Sequence, residues 1–207
     1  FLADPRVIEA PRWFWLPILH GVILRTRPRR SALAYASVWM PEGSPLMVYS
    51  RRQETALQVA LDQHVPGAYQ VALAMRYGQP SVAAGLDRLQ AMGCPRILIL
   101  PLYPQYSATT TASVSDAVGA WLRRQRALPE LQWVNQYAEA PGYIAALAAS
   151  VRAYWAREGQ GERLLLSFHG IPQQYADQGD PYAEQCRATA HALAAALGLE
   201  ADRWALA

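Results

Sequence analysis

The chain has 207 residues, enough to bury a real core as one large domain or two small ones. With 52% hydrophobic and 17% charged residues it is neither disordered nor of low complexity. Nineteen basic against 16 acidic side chains leave a net charge of +3, too near balance to argue for nucleic-acid binding, and every basic residue is arginine.

Phe1 opens the chain with no charged segment ahead of an apolar one, so neither an intact start nor a signal peptide is read there, and a partial chain is expected. Residues 13–24 form the longest apolar stretch near that end. Pro17 and His20 interrupt it, and it falls short of the roughly 20 residues of a membrane span. Over residues 13–30 (WFWLPILHGVILRTRPRR) three aromatics precede Arg25, Arg27, Arg29 and Arg30, with Arg12 just upstream. Two readings stand side by side: an internal helix followed by a solvated loop, or a peripheral interfacial surface.

Four later segments are short and nearly continuously apolar: 69–77 (YQVALAMRY), 96–102 (RILILPL), 131–137 (LQWVNQY) and 163–168 (RLLLSF). Runs apolar on both faces are the mark of buried parallel strands. Helical spacing lies between them. In 80–92, Val82, Leu86 and Leu89 fall at i, i+4 and i+7, and Gly93 supplies a stop. Pro141 opens a helix running to about Arg157, and Asp180 with Pro181 starts a helix that ends at Leu197 before Gly198. Residues 203–207 read as a final strand. Strand–helix alternation predicts right-handed crossovers and a three-layer α/β fold, with a first domain over 1–138 and a second beginning at 139–207. The first three strands are expected in one sheet, and 163–168 begins the second.

In such folds ligands bind beyond the carboxyl ends of the strands. Residues 101–113 (PLYPQYSATTTAS) follow one strand with two tyrosines and a hydroxyl cluster at Ser107, Thr109, Thr110, Thr111 and Ser113. They form either a stiff turn capping the next helix or a ligand-lining loop, and the two are compatible. Residues 167–172 (SFHGIP) follow another, and place His169 at a strand end with Gly170 permitting a sharp turn. An imidazole there can bind a transition metal or accept a proton near neutral pH. His20, His64 and His191 read as surface or packing residues. The absence of HExxH and of a Cys/His pair at ligand spacing argues against a dedicated structural zinc site, and that of GxxxxGK[ST], GxGxxG and GxSxG against the common nucleotide enzymes and a serine hydrolase. Cys94 and Cys186 are too few for a disulfide framework or an iron–sulfur cluster, and suit a reducing, cytoplasmic setting.

Three stretches in order, 100–111 (LPLYPQYSATTT), 165–172 (LLSFHGIP) and 179–186 (GDPYAEQC), resemble the ferrochelatase family, with 4–8 (DPRVI), 43–46 (GSPL) and 74–81 (AMRYGQPS) in support. The resemblance implies two Rossmann-like α/β domains around a porphyrin cleft, and insertion of ferrous iron into protoporphyrin IX in the last step of haem synthesis. Ferrous iron is then a substrate, and no tightly bound cofactor is expected. His169 falls on the family's histidine, assigned as iron ligand or as acceptor of pyrrole protons. Ser44, Tyr106 and Ser107 match porphyrin-side positions. The loops at 43–45, 103–113 and 167–172 are expected to open on one cavity. The family's first strand and its downstream acidic partner lie outside the sequence, so the isolated chain is expected to be inactive and prone to aggregation. In the family, residues 13–30 form an apolar lip of the cleft, implying at most peripheral membrane contact. A related coproporphyrin or cobalt chelatase and a non-catalytic tetrapyrrole-binding fragment are the competing readings. Nothing in the residues specifies an oligomeric state.

Overall fold

The computed structural model describes residues 1–207 except the side chains of Arg29 and Arg30, so what was expected of those two arginines lies outside the described residues. Two compact units emerge. The first comprises residues 1–98 and 113–132, the second 99–112 and 133–207.

The first unit begins with helices α1 (Arg12–Ile18) and α2 (Leu24–Ala36), joined by a π turn, Leu19–Ile23. Of the two readings of 13–30, the one with a solvated loop after an internal helix does not hold, since helix continues as far as Ala36. Pro28 sits inside α2, where its ring would clash with the carbonyl one turn back, and the π turn directly upstream widens the winding there. Leu19 is buried, whereas Trp13 is 80% exposed, and Phe14, Leu33, Tyr35 and Trp39 are also exposed. Among the described residues no helix is long and apolar enough to cross a membrane.

Helix α3 (Pro45–His64) starts where Ser44 accepts from the Met47 N–H and Pro45 takes the first helical position. Helix α4 (Val82–Ala91) is shorter than 80–92 because Ser81 is its cap, accepting from the Ala84 N–H, and the left-handed Gly93 follows its end. It packs on α5 (Ser113–Leu122) around Leu86, Val118 and Trp121, whose indole N–H donates to Asp87 at 2.6 Å.

Residues 69–77 are not a strand. They run extended, with only an isolated bridge of Met75 to Ser81. Their amides find other acceptors: the Val71 N–H donates to Gln58 Oε1 at 2.8 Å, the Leu73 N–H to Glu54 Oε1 at 2.9 Å, and the Met75 N–H to the Pro80 carbonyl at 2.7 Å. Side chains of α3 thus serve one edge of the segment where a neighbouring strand would.

Strands β1 (Arg96–Ile99) and β2 (Glu130–Trp133) form a two-stranded sheet. The Glu130 N–H donates to the Pro95 carbonyl and the Val134 N–H to the Ile99 carbonyl, an equal step along both strands and hence a parallel pair. Both strands are shorter than expected, since Pro101 and Pro104 end the regular path after β1. Nor is β1 buried on both faces: Ile97 is 3% exposed and Leu98 57%. The expected three-stranded sheet holds two strands because residues 69–77 stand outside it.

In the second unit α6 (Pro141–Glu158) precedes β3 (Leu164–Leu166), and a short helix α7 (Gln173–Asp177) leads to α8 (Tyr182–Leu197) and β4 (Trp204–Leu206). Strands β3 and β4 are parallel, with Leu164 opposite Trp204 and Leu166 opposite Leu206. Helices α6 and α8 meet through small residues: Ala148, Ala190 and Ala194 are buried, so the backbones approach closely around Ile144 and Leu193. His191 stands edge-on to Trp204, a packing contact. Gly198 closes α8 with φ 69°. Gly198→Ala, which forces a Cβ into that left-handed conformation, is expected to cost roughly 1–2 kcal/mol, read as a lower denaturant midpoint at unchanged slope.

Candidate functional site

The two loops singled out in the sequence, one following β1 and one following β3, run through the second unit, and the N-terminal half of α8 receives both. Along the first loop, Gln105 is buried and donates from Nε2 to Thr189 Oγ1 at 2.8 Å, and the Tyr106 N–H donates to Gln185 Oε1 at 2.7 Å. The Ser107 hydroxyl donates to Asp180 Oδ2 at 2.9 Å, and the Ala108 N–H reaches the same oxygen at 2.8 Å. The other carboxylate oxygen accepts from the Tyr182 N–H at 3.0 Å, at the start of α8. Thr189 also donates to the Ala138 carbonyl, so the chain after β2 is tied to the same helix.

The hydroxyl cluster is spent largely on this local order. Ser107 is 1% exposed, and its hydroxyl meets Thr109 and the Thr109 N–H besides Asp180. Thr110 donates to the Ser107 carbonyl inside a π turn, Ala108–Ala112, while the buried Thr111 hydroxyl finds no partner among the described residues. Tyr106 is half-buried, with its backbone N–H held by Gln185.

His169 lies just past β3 and is exposed. Its Nδ1 stands 2.7 Å from the Gly170 carbonyl oxygen. A carbonyl only accepts, so Nδ1 carries the proton, and in the neutral ring Nε2 holds the free lone pair. A strand end, a following glycine and one backbone carbonyl thus suffice to present a basic nitrogen outward. Tyr182, the first residue of α8, neighbours the His169 backbone and the Cys186 thiol. Burial, then the Cys186 contact, push its phenol up to about 12, so it stays protonated and neutral beside the histidine loop.

Ser44 belongs to the first unit, where its hydroxyl caps α3 and it is half-buried. Tyr106, Ser107 and His169 are brought to α8 in the second. The residues the sequence reading missed are Asp180, Gln185 and Thr189 in their gripping role. Asp180 was read only as a helix cap; its reach to a loop 72 residues earlier leaves no signal in spacing.

No cluster of three or more metal-ligating side chains occurs among the described residues. Thr189→Val removes both a donor and an acceptor inside this grip and is expected to destabilise the protein by about 1–3 kcal/mol, measured by urea unfolding.

Parallel strands joined through helices, with loops running out beyond the strand ends, place the chain among Rossmann-like α/β proteins. A sequence model described as Ferrochelatase matches residues 1–207. The chain is 54% identical over 203 residues to the ferrochelatase of Azoarcus sp., covering 98% of this chain and 55% of that protein. It is 52% identical to ferrochelatase 1 of Shewanella oneidensis, covering 99% and 61%, and 51% identical to the ferrochelatase of Stenotrophomonas maltophilia, covering 100% and 62%. The chain belongs to the ferrochelatase family and spans a little over half the length of these relatives.

Proposed function

We propose that the protein containing this chain inserts ferrous iron into protoporphyrin IX to form haem, as the last step of haem synthesis. The observation that carries the chemistry is the His169 ring, whose Nδ1 is committed to the Gly170 carbonyl and whose Nε2 is free on an exposed loop. Insertion removes two pyrrole protons and strips water from the metal. A neutral imidazole facing the macrocycle suits the first as a base and the second as a replacement ligand. His169 is the catalytic and metal-facing residue. Ser44, Tyr106 and Ser107 belong to the porphyrin side, Tyr106 by its half-open position and Ser107 by fixing the shape of its loop. Residues 1–138 form the first domain and 139–207 the start of the second.

The exposed aromatics Trp13, Phe14, Tyr35 and Trp39, among arginines, suit peripheral contact with a membrane surface from the cytoplasm. The test is full-length protein supplied with ferrous iron or zinc and protoporphyrin IX, followed by the absorbance of the metalloporphyrin. Turnover of coproporphyrin in preference, or of cobalt in preference to iron, assigns the related chelatase instead. Tight porphyrin binding without any insertion assigns a binding module.

A further inference from the structure

We infer that Asp180 and Gln185 are positioning residues that hold the Tyr106 loop and the His169 loop in one fixed relation through α8; this rests on the proposed chelatase reading. Four hydrogen bonds carry the inference. The Tyr106 N–H donates to Gln185 Oε1 at 2.7 Å, and the Ser107 hydroxyl and Ala108 N–H both donate to Asp180 Oδ2, at 2.9 and 2.8 Å. The remaining oxygen, Oδ1, accepts from the Tyr182 N–H at 3.0 Å. A single carboxylate therefore joins the first turn of α8 to the start of the π turn beyond Tyr106. An irregular loop has no strand to take its amides, and these two side chains supply the acceptors that water would otherwise provide.

The second loop depends on the same turn of helix. The Asp180 N–H donates to the Tyr175 carbonyl at 3.0 Å and the Tyr175 N–H to the Pro172 carbonyl at 2.9 Å, so the end of the His169 loop is tied through α7 to the residue that grips the first loop, and Tyr182, two residues on, neighbours the His169 backbone and Cys186. Any shift of the first turn of α8 is passed to both loops, one carrying Tyr106 and the other the imidazole. Both oxygens of Asp180 and Oε1 of Gln185 are taken up by backbone and hydroxyl donors of the loop and the helix start, so what these atoms contribute to the reaction is geometry. Small displacements of a reacting group cost far more in turnover than in the affinity of a large flat ligand held by apolar contact.

Asp180→Asn keeps the size but places an NH2 group where at least one N–H or hydroxyl donor now points. Gln185→Leu removes the acceptor of the Tyr106 N–H, and Gln185→Glu restores one. In the full-length protein, Asp180→Asn and Gln185→Leu are each expected to lower kcat for zinc insertion at least about tenfold. Over the same variants the porphyrin Kd, measured by fluorescence quenching, stays within about threefold. Gln185→Glu recovers most of the loss, and Glu200→Gln, on an exposed turn, serves as the control. The 15N resonances of the His169 ring report the same coupling without turnover, and move in Asp180→Asn and Gln185→Leu but not in Gln185→Glu or the control. If the wild type inserts metal and both disruptive variants match it with unmoved His169 resonances, the positioning role is overturned while the chelatase reading stands. If the wild type inserts nothing, the chelatase reading fails and the ring resonances alone decide the coupling. Equal losses of kcat, porphyrin affinity and melting temperature in every variant, Gln185→Glu included, overturn the inference in favour of general structural damage.

Discussion

His169→Ala in the full-length protein is expected to lower metal insertion by about 10²–10⁴-fold, the usual worth of a positioned acid–base group. Porphyrin binding and folding should survive. The ring is exposed and its one recorded hydrogen bond is to its own neighbour's carbonyl, so truncation opens no cavity and strands no buried partner. Affinity for a large flat ligand comes from apolar contact and from pairing of its carboxylates, neither of which draws on this imidazole. Zinc or ferrous insertion by absorbance, porphyrin quenching and a thermal melt on one preparation separate the outcomes. Insertion at near wild-type rate would remove His169 from the chemistry, and parallel loss of all three would make it structural.

The second large effect lies in the first unit, where Asp4, near the start of the sequence, meets Ser113 at the far end of the loop after β1. Asp4 is nearly buried, and one of its oxygens accepts from Arg76 Nη2 at 2.7 Å, the Tyr77 hydroxyl at 2.7 Å and the Ser113 hydroxyl at 2.6 Å. The other oxygen accepts from the Arg6 N–H. Arg76 also donates to the Ser113 carbonyl, so the group closes on itself. Asp4→Ala leaves a partly buried guanidinium and two hydroxyls without their acceptor, and is expected to cost about 3–5 kcal/mol. Asp4→Asn should cost less, since it keeps one acceptor oxygen.

Acid should act on the same group. Burial alone would raise the Asp4 carboxyl, but hydrogen bonds from Ser113, Tyr77 and Arg6, with the Arg76 charge, outweigh it and hold the carboxyl below its ordinary range. A carboxyl lowered by folding contributes stability that is complete above its unfolded value and is lost as pH falls through the folded one. Urea midpoints should therefore decline on the acid side in the wild type and show a weaker decline there in Asp4→Asn. Equal slopes in the two proteins would contradict the assignment.

What could be seen in the sequence followed from local physics. Gly198, Pro141 and Pro181 mark helix ends because their backbone preferences act within a turn, and α6 and α8 lie where those residues set them. Strands β1 to β4 fall inside their predicted runs or within a residue of them. The apolar pattern of 69–77 misled because a strand needs a partner, and partners are not encoded in a segment's own composition. α3 does not stand out by pattern although Ser44 and Pro45 announce its start, since its hydrophobic stripe is weak beside its charges. Ser107 and His169 were picked out as side chains with chemistry, and the structure distinguishes them: one hydroxyl is enclosed and engaged, and one imidazole is open. The Asp4 network was out of reach, because Asp4, Arg76 and Ser113 are separated by 72 and 109 residues from one end of it to the others.

Glu54 and Gln58 accept the Leu73 and Val71 amides as a strand would, and this gives α3 an unusual tolerance map. A polar residue on the flank of a long helix ordinarily exchanges freely for another polar residue. At these two places the exchange must preserve an acceptor at the right reach, because the backbone of another segment depends on it. Glu54→Lys or Gln58→Lys would look conservative in hydropathy and in helix preference, yet would offer a donor where two N–H groups already point. In a saturation library over α3, positions 54 and 58 should thus stand apart from neighbours such as Gln53 and Thr55, with intolerance ordered by hydrogen-bonding sense and side-chain length rather than by polarity.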